Sequence, residues 1–275
     1  MIKLGFIILG ENMKFLSLLL LLSVQFLSTS LSATTLKEIE KRGVLRVGHE
    51  VGYLPFEMKD KKGRTIGFDV DIAKMMAKGM GVKLELVNTE WDGIIPALLT
   101  KKFDMVIAGM TITPKRNMKV NFSDPYITIG QTAIIKKSLK GKVKSYRDLN
   151  NPKYTVASKL GTTGEQAIKR LLPKAKYKSY QSSADGMLEV ANGRIDAFIY
   201  DFPSHNVFTQ TKGKGKVHFL SEKFTHEPLA IAVRQGDPDV LNFLNNFLKQ
   251  IKGDGRYDRI YKKWFDNTAW MSKIK

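Results

Sequence analysis

The chain has 275 residues, of which 43% are hydrophobic and 26% charged, and its formal net charge is +19. This composition is typical of a globular protein with room for two lobes, and it excludes a disordered chain. The absence of cysteine from the sequence excludes disulfides, thiolate chemistry and a lipoprotein anchor. The lysines are scattered rather than gathered into a stripe with aromatic residues, so no nucleic-acid partner is expected.

The amino end predicts a signal peptide over residues 1–33. Lys14 precedes an uncharged stretch from Phe15 to Leu36, in which a leucine-rich part is followed by small and polar residues. This order is typical of a cleavable secretory signal, here with cleavage after Ala33. The polar tail of the stretch disfavours the alternative, a membrane anchor. We therefore expect a periplasmic protein.

Beyond the signal, strand-like and helical patterns alternate along the chain. The first series runs strand, helix, strand, helix, strand over residues 44–48, 68–78, 82–87, 93–101 and 105–108. A second alternating series covers 154–218. Such alternation is typical of α/β domains with a largely parallel sheet.

Two extended segments, residues 126–135 and 224–233, separate and follow the second series and fit a two-strand hinge between lobes. The tail, residues 239–252 and 257–265, has helical periodicity and is expected to pack onto the first lobe. These patterns predict a first lobe of residues 34–127 plus 230–275 and a second lobe of residues 131–225. The hinge is predicted near residues 126–130 and 225–229.

The segment after the fifth element carries the clearest chemical signal. The apolar run 105–108 predicts a buried strand that breaks at Gly109, and Thr113 followed by Pro114 predicts a helix start. The first turn of a helix presents free N–H groups and a positive dipole end. Arg116 adds a rigid fork of donors that suits two carboxylate oxygens. The segment therefore predicts a carboxylate receptor.

An internal echo indicates a second half of the same site. Residues 92–109 and 185–201 share a helix, then an apolar residue, an aspartate and a buried strand that ends five residues later. Ligands of open α/β sheets bind outside the carboxyl ends of the strands. Gly109 and Asp201 would then face one cleft from opposite sides.

Six motifs carry a resemblance that covers essentially the whole mature chain. They are Gly-Phe-Asp-Val-Asp at 67–71, Trp-Asp-Gly-Ile-Ile-Pro-Ala-Leu at 91–98, and those at 108–116, 122–126, 161–163 and 255–264. Together they resemble the extracytoplasmic amino-acid-binding proteins of ABC transporters, which have the periplasmic binding protein type II fold. The resemblance implies two Rossmann-like lobes joined by a two-strand hinge, a free L-amino acid as ligand, a membrane permease as partner, a monomer, and no cofactor.

The resemblance also implies a binding site for both ends of a zwitterion. Arg116 would bind the α-carboxylate and Asp201 the α-ammonium, which agrees with the need for a fork of donors at one end and an anionic acceptor at the other. Backbone and hydroxyl groups of further residues would assist at these two ends: Gly109, Thr111, Thr162 and Thr163.

Three further positions match those that contact the ligand side chain. Tyr53 and Trp91 would sandwich an alkyl stem between aromatic faces, which also attract a cation. Glu50 would accept hydrogen bonds from an ammonium, a guanidinium or an amide. We therefore expect a cationic or polar amino acid, lysine first. If the ammonium of Lys159 points into the pocket, it repels a cation and favours glutamine.

An enzymatic alternative exists on the same fold. In the cyclohexadienyl dehydratases, which act on arogenate or prephenate, a glutamate after the Gly-Thr turn serves as general acid, and Glu165 occupies the matching place. Asp201 disfavours prephenate, which has a second carboxylate and no ammonium. We therefore expect a binding protein and not an enzyme. No metal site is expected, because metal-ligand spacing is absent from the four histidines of the sequence: His49, His205, His218 and His226.

Overall fold

The structure is a computed structural model that describes residues 34–274. The predicted signal peptide, residues 1–33, lies outside the described residues. Within residues 34–274, no helix combines the length and the apolar character that a membrane span requires. These residues form an α/β fold of two lobes, each built on its own sheet, as the resemblance implies.

Helices and strands alternate along most of the described chain. The strands are β1 (Val44–His49), β2 (Met58–Lys59), β3 (Thr65–Ile66), β4 (Lys83–Asn88), β5 (Met105–Thr111), β6 (Asn121–Phe122), β7 (Ile127–Ile129), β8 (Gln131–Lys136), β9 (Thr155–Lys159), β10 (Lys176–Tyr180), β11 (Ala197–Asp201), β12 (Val217–Leu220) and β13 (Glu227–Val233). The α-helices are α1 (Thr35–Arg42), α2 (Phe68–Met80), α3 (Ile94–Leu99), α4 (Pro114–Asn117), α5 (Thr163–Leu171), α6 (Ser183–Ala191), α7 (Phe202–Gln210), α8 (Pro238–Gly253) and α9 (Arg256–Tyr261).

The two sheets share one plan. The first has the order β4-β1-β5-β13-β6, with β7 also paired to β13, and the second has the order β10-β9-β11-β8-β12. In each, three neighbouring strands are parallel, namely β4, β1 and β5 in one and β10, β9 and β11 in the other. An antiparallel strand then follows, β13 beside β5 and β8 beside β11. The antiparallel strand of each sheet therefore comes from an extended segment. β8 lies between the two alternating series, and β13 follows the second.

The central strands are covered on both faces, which explains their continuous apolar sequences. All seven residues of β5 are buried. On α2, Phe68, Ile72 and Met76 recur every four residues and are fully buried in the core of the first lobe. This spacing places the three side chains on one helix face.

The chain passes from the first sheet to the second at Gly130. The predicted extended segment 126–135 is therefore two strands, β7 in the first sheet and β8 in the second. The N–H of Gln131 donates to the Thr225 hydroxyl at 2.9 Å, and the N–H of Phe224 donates to the Gln131 carbonyl at 3.0 Å. A Cβ at Gly130 would lie 2.6 Å from the Thr225 carbonyl oxygen, so the close approach of the two crossings requires glycine here.

The carboxyl-terminal tail contacts the first lobe. The indole N–H of Trp264 donates to the Asp71 carboxylate at 2.8 Å, and the Tyr257 hydroxyl donates to the Tyr126 carbonyl at 2.7 Å. One contact reaches helix α2, and the other reaches the residue directly before β7. The exact boundaries given above for the two lobes and the hinge stay a prediction.

Candidate functional site

A small cavity lies between the lobes, where β5 and β11 end. All nine residues singled out in the sequence as ligand-binding line it, together with three others: Glu57, Ala108 and Tyr200. Its volume is about 20 Å³, which is roughly the room that one water molecule needs. An amino acid therefore enters only if the two walls separate.

The predicted end of β5 at Gly109 was wrong. The strand continues to Thr111, because β13 pairs with it and places Leu229 opposite Thr111. This partner lies more than a hundred residues away in the sequence, so the local pattern does not show it. Gly109 is nevertheless special, since its φ is +56° and a Cβ there would lie 2.2 Å from the Tyr53 ring. Glycine lets this aromatic ring close over the strand.

The helix after β5 is shorter than the sequence indicates. α4 is a single turn of four residues, and the Thr113 hydroxyl accepts the Arg116 N–H at 3.2 Å. The predicted cap is therefore present, but the turn is too short to supply much of a dipole, and this N–H is already used. The capacity to bind a carboxylate lies in the Arg116 guanidinium instead.

The Arg116 guanidinium is held in place from both lobes. Nη1 donates to the Thr111 carbonyl at 2.9 Å, and Nη2 donates to the Gly161 carbonyl of the second lobe at 3.3 Å. The guanidinium also lies 5.1 Å from the centre of the Trp91 ring, a cation–π distance. Burial lowers the pKa of Arg116 to about 10. The group remains a cation at neutral pH.

Asp201 lines the same cavity from the second lobe. The Tyr53 hydroxyl and the Gln131 side-chain amide each donate to its carboxylate at 2.5 Å. Burial raises the pKa of Asp201 to about 7, although the hydrogen bonds from Tyr53 and Gln131 oppose the shift. Asp201 precedes α7, yet its side chain makes no capping hydrogen bond. The carboxylate faces the cavity rather than the helix.

Glu50 is already paired. The Lys159 ammonium, which comes from β9 of the second lobe, forms an ion pair with the Glu50 carboxylate. The side chains of Lys159 and Glu50 are only 7% and 12% exposed. Lys159 also lies 5.9 Å from the centre of the Trp91 ring. Its ammonium therefore reaches the end of β1 and neutralises the carboxylate expected to contact the ligand side chain.

Glu57 is the cavity carboxyl that sequence analysis missed. It is 1% exposed, and among the described residues no N–H or O–H group donates to either of its oxygens. Burial and then the neighbouring Asp69 raise its pKa well above the ordinary value. In the sequence, Glu57 begins a charged stretch that runs to Arg64 and indicates a solvated loop. Only the turn from Tyr53 to Glu57 brings it inside.

The second lobe closes the cavity with the turn before α5. The Thr162 hydroxyl donates to the Lys159 carbonyl at 2.7 Å, and the Thr163 hydroxyl accepts from the Gln131 amide at 3.2 Å. The Gly161 carbonyl of the same turn accepts from the Trp91 indole N–H at 3.1 Å. The turn thus binds residues of both lobes at once.

Comparison with known proteins assigns the chain to a family. The model of the bacterial extracellular solute-binding proteins, family 3, matches residues 45–267. The chain belongs to this family. The L-cystine-binding protein of Escherichia coli is 32% identical over 231 residues, which cover 84% of this chain and 85% of that protein. The resemblance stated from the motifs is confirmed.

Two solved structures of related proteins are still more similar in sequence. A putative ABC-transporter binding component from Wolinella succinogenes, complexed with lysine, has 55% identity and a TM-score of 0.82, covering 84% of this chain and all of that one. An ancestral amino acid-binding protein, described as a precursor of cyclohexadienyl dehydratase, has 53% identity and a TM-score of 0.79. It covers 85% of this chain and all of its own.

Glu165, the residue of the enzymatic alternative, has another use in this member of the family. Its carboxylate accepts from the Gly161 N–H and from the Lys169 ammonium, both at 2.6 Å. Burial would raise the pKa of Glu165, but these two hydrogen bonds outweigh it and hold the pKa below the ordinary value. A general acid at neutral pH needs the opposite shift. Within residues 34–274 no cluster of carboxylates and histidines is arranged to hold a metal.

Proposed function

We propose that this family 3 solute-binding protein binds a free L-amino acid between its lobes and delivers it to the permease of an ABC transporter. One observation supports this most directly. The Arg116 guanidinium and the Asp201 carboxylate line the same small cavity from different lobes. A buried cation and a buried anion facing one space match the α-carboxylate and the α-ammonium of an amino acid.

The contacts between the lobes support a cycle of opening and closing. Arg116 and Asp201 complete one site only when the lobes meet, so a bound zwitterion stabilises the closed state over an open one. The closed state then presents both lobes to the permease in one arrangement. The predicted signal peptide supports a periplasmic location for this cycle.

For the ligand side chain we favour a cation, lysine first and arginine next. The cavity offers the Glu57 carboxyl, to which no N–H or O–H group of the described residues donates, beside the aromatic faces of Tyr53 and Trp91. A buried acceptor without a donor is costly unless a ligand satisfies it. The complex of the Wolinella succinogenes relative with lysine supports the same choice.

Glutamine is the second candidate, because Lys159 already binds Glu50. A side-chain amide needs one acceptor for its NH₂ group and one donor for its oxygen. The Glu50 carboxylate and the Lys159 ammonium supply both next to each other. Lysine would instead bring a second ammonium close to Lys159, which costs electrostatic energy unless Glu57 compensates.

A thermal-shift panel of the twenty amino acids tests the function and the ligand class together. A ligand that binds only the folded protein raises its melting temperature, and we expect the largest shifts with lysine and arginine. Shifts confined to glutamine would select the second candidate. Shifts confined to acidic or small apolar amino acids would contradict the roles given to Glu50 and Glu57. No shift with any amino acid would contradict the proposed function.

Absence of turnover is the expected outcome for the dehydratase substrates. Glu165 is occupied by Lys169 and the Gly161 N–H and lies outside the lining of the cavity. Incubation with prephenate or arogenate should therefore leave both compounds unchanged, as measured by chromatography. Enzyme-dependent formation of phenylpyruvate or phenylalanine would establish the enzymatic alternative.

A further inference from the structure

Two buried carboxyl groups lie side by side at the cavity. Glu57 and Asp69 are each 1% exposed, and the Asp69 N–H donates to the carbonyl of Phe56, the residue before Glu57, at 3.1 Å. The Asp69 carboxyl is one of the groups that raise the pKa of Glu57. The second oxygen of Asp69 accepts from the Gly109 N–H at 2.7 Å and from the Tyr126 hydroxyl at 2.9 Å. Glu57 faces the cavity, whereas Asp69 is absent from its lining. Asp69 is therefore the fixed partner of the pair.

Three of the four carboxyl oxygens of this pair lack a hydrogen-bond donor among the described residues. In the described part of the chain, no N–H or O–H group reaches either oxygen of Glu57 or the Oδ1 atom of Asp69. Two neighbouring buried carboxylates repel each other when both are ionised, and neither can donate a hydrogen bond, so a proton on one of the two removes the repulsion and supplies a donor. Such a pair titrates as a unit.

The charged groups nearby do not replace this proton. Lys159 is the cation that acts on Glu57, but its ammonium is bonded to Glu50, which itself adds negative charge. The phenols of Tyr126 and Tyr200 also lie near Glu57, and burial raises the pKa of both well above the ordinary value. They are neutral at physiological pH. A cation on the ligand is the remaining way to compensate an ionised Glu57.

We propose that Glu57 and Asp69 share one proton in the unliganded protein and that a cationic amino acid expels it on binding. This inference rests on the proposed function. The ligand ammonium or guanidinium takes the place of the proton beside Glu57, and the proton passes to solvent. A neutral ligand has no charge to offer and leaves the proton in place. The pair then sets a preference for cationic ligands that grows with pH, because deprotonation becomes easier.

Proton release can be measured by titration calorimetry of the whole mature protein. The binding enthalpy is recorded at pH 7.5 in buffers of different ionisation enthalpy, and its slope gives the number of protons released. Arginine is compared with citrulline, its uncharged isostere, by displacement if citrulline binds weakly. Asp201 meets the α-ammonium of both ligands, so any proton that it releases cancels in the difference. We expect arginine to release roughly half a proton or more beyond citrulline.

Variants then assign the proton to the pair. Glu57→Gln supplies an amide N–H to Asp69 and needs no shared proton, so the difference between the two ligands should fall to zero while binding of citrulline persists. Glu85→Gln, at an exposed position on β4, should keep the wild-type difference.

Two results would overturn the proposal. If arginine and lysine bind with no more proton release than citrulline, the exchange is absent although the amino-acid-binding function stands. If the difference persists in Glu57→Gln, the proton comes from another group. A protein that binds no cationic amino acid would instead contradict the proposed ligand class, and the exchange would fall with it. The wild-type measurement decides the first point even if a variant does not fold.

Discussion

Two buried carboxyl groups that line the cavity, Asp201 and Glu57, are in opposite conditions. Asp201 receives hydrogen bonds from Tyr53 and Gln131, whereas Glu57 receives none from any described residue. Both groups line the same small space. We expect Asp201 to contact the α-ammonium, which every amino acid carries. We expect Glu57 to contact the side chain, which differs between amino acids.

This contrast teaches where the site is preorganised. Donors that fix Asp201 before the ligand arrives reduce the cost of ordering the site on binding. At the other end, unpaired oxygens of Glu57 keep an energetic penalty that a ligand can remove. Affinity for amino acids in general would then come from Arg116 and Asp201, which we call the constant end. Selection among amino acids would come from Glu50, Lys159 and Glu57, which we call the selective end.

The largest expected effect comes from removing the constant end. Arg116→Ala should weaken every amino acid that binds by at least about a hundredfold, since it removes charge-assisted hydrogen bonds of about 1.5–3 kcal/mol each. Titration calorimetry measures the loss. Lys115→Ala, on the neighbouring exposed residue, should leave affinity unchanged. Selective loss of cationic ligands alone would contradict the separation of the two ends.

The protonation of Asp201 should make binding at the constant end dependent on pH. Burial raises its pKa to about 7, so below pH 7 the carboxyl is largely protonated and cannot accept an ionic bond from the α-ammonium. Affinity for a neutral amino acid should therefore fall by up to about tenfold per pH unit below 7 and level off above it. In Asp201→Asn this slope should vanish. An unchanged slope in that variant would assign it to another group.

Removal of Lys159 should change selection rather than general affinity. Lys159→Met frees Glu50 to meet a ligand cation and removes the donor for an amide oxygen. We expect the ratio of lysine affinity to glutamine affinity to rise about tenfold, as measured by calorimetry with both ligands. Lys176→Met, on an exposed position of β10, is the control. Equal losses for both ligands would mean that the ion pair serves closure alone.

The smallest effect concerns the contact of Trp91 with the second lobe. Trp91→Phe keeps an aromatic face but removes the hydrogen bond to the Gly161 carbonyl, which is worth about 0.5–1.5 kcal/mol. Dissociation constants should rise about threefold to tenfold for cationic and neutral ligands alike. If only cationic ligands weaken, the ring acts through its quadrupole and belongs to the selective end.

The constant end was predictable from sequence because its residues stand in local patterns. Thr113, Pro114 and Arg116 follow the buried strand β5. Asp201 ends the buried strand β11, which is also preceded by a helix. Tyr200 and Ala108 were missed although each directly precedes a predicted residue, which is the signal that could have found them. Tyr200 and Asp201 end β11, whereas Ala108 and Gly109 lie within β5.

The selective end depends on contacts between distant segments. Glu57 looks solvated because lysines follow it, and only the fold of the turn over α2 buries it against Asp69. The approach of Lys159 to Glu50 joins residues 109 positions apart. The extension of β5 to Thr111 likewise needs β13. Periodicity and capping patterns act over a few residues, so none of these three features is visible in them.

The two crossings at Gly130 and Thr225 have a mechanical consequence. They hydrogen-bond to each other through Gln131, so we expect a backbone rotation in one crossing to require an adjustment of the other. A coupled pair of this kind would bring the two lobes back to the same relative position after each opening. The alignment of Arg116 with Asp201 would then be reproduced at each closure by a junction outside the cavity that both residues line.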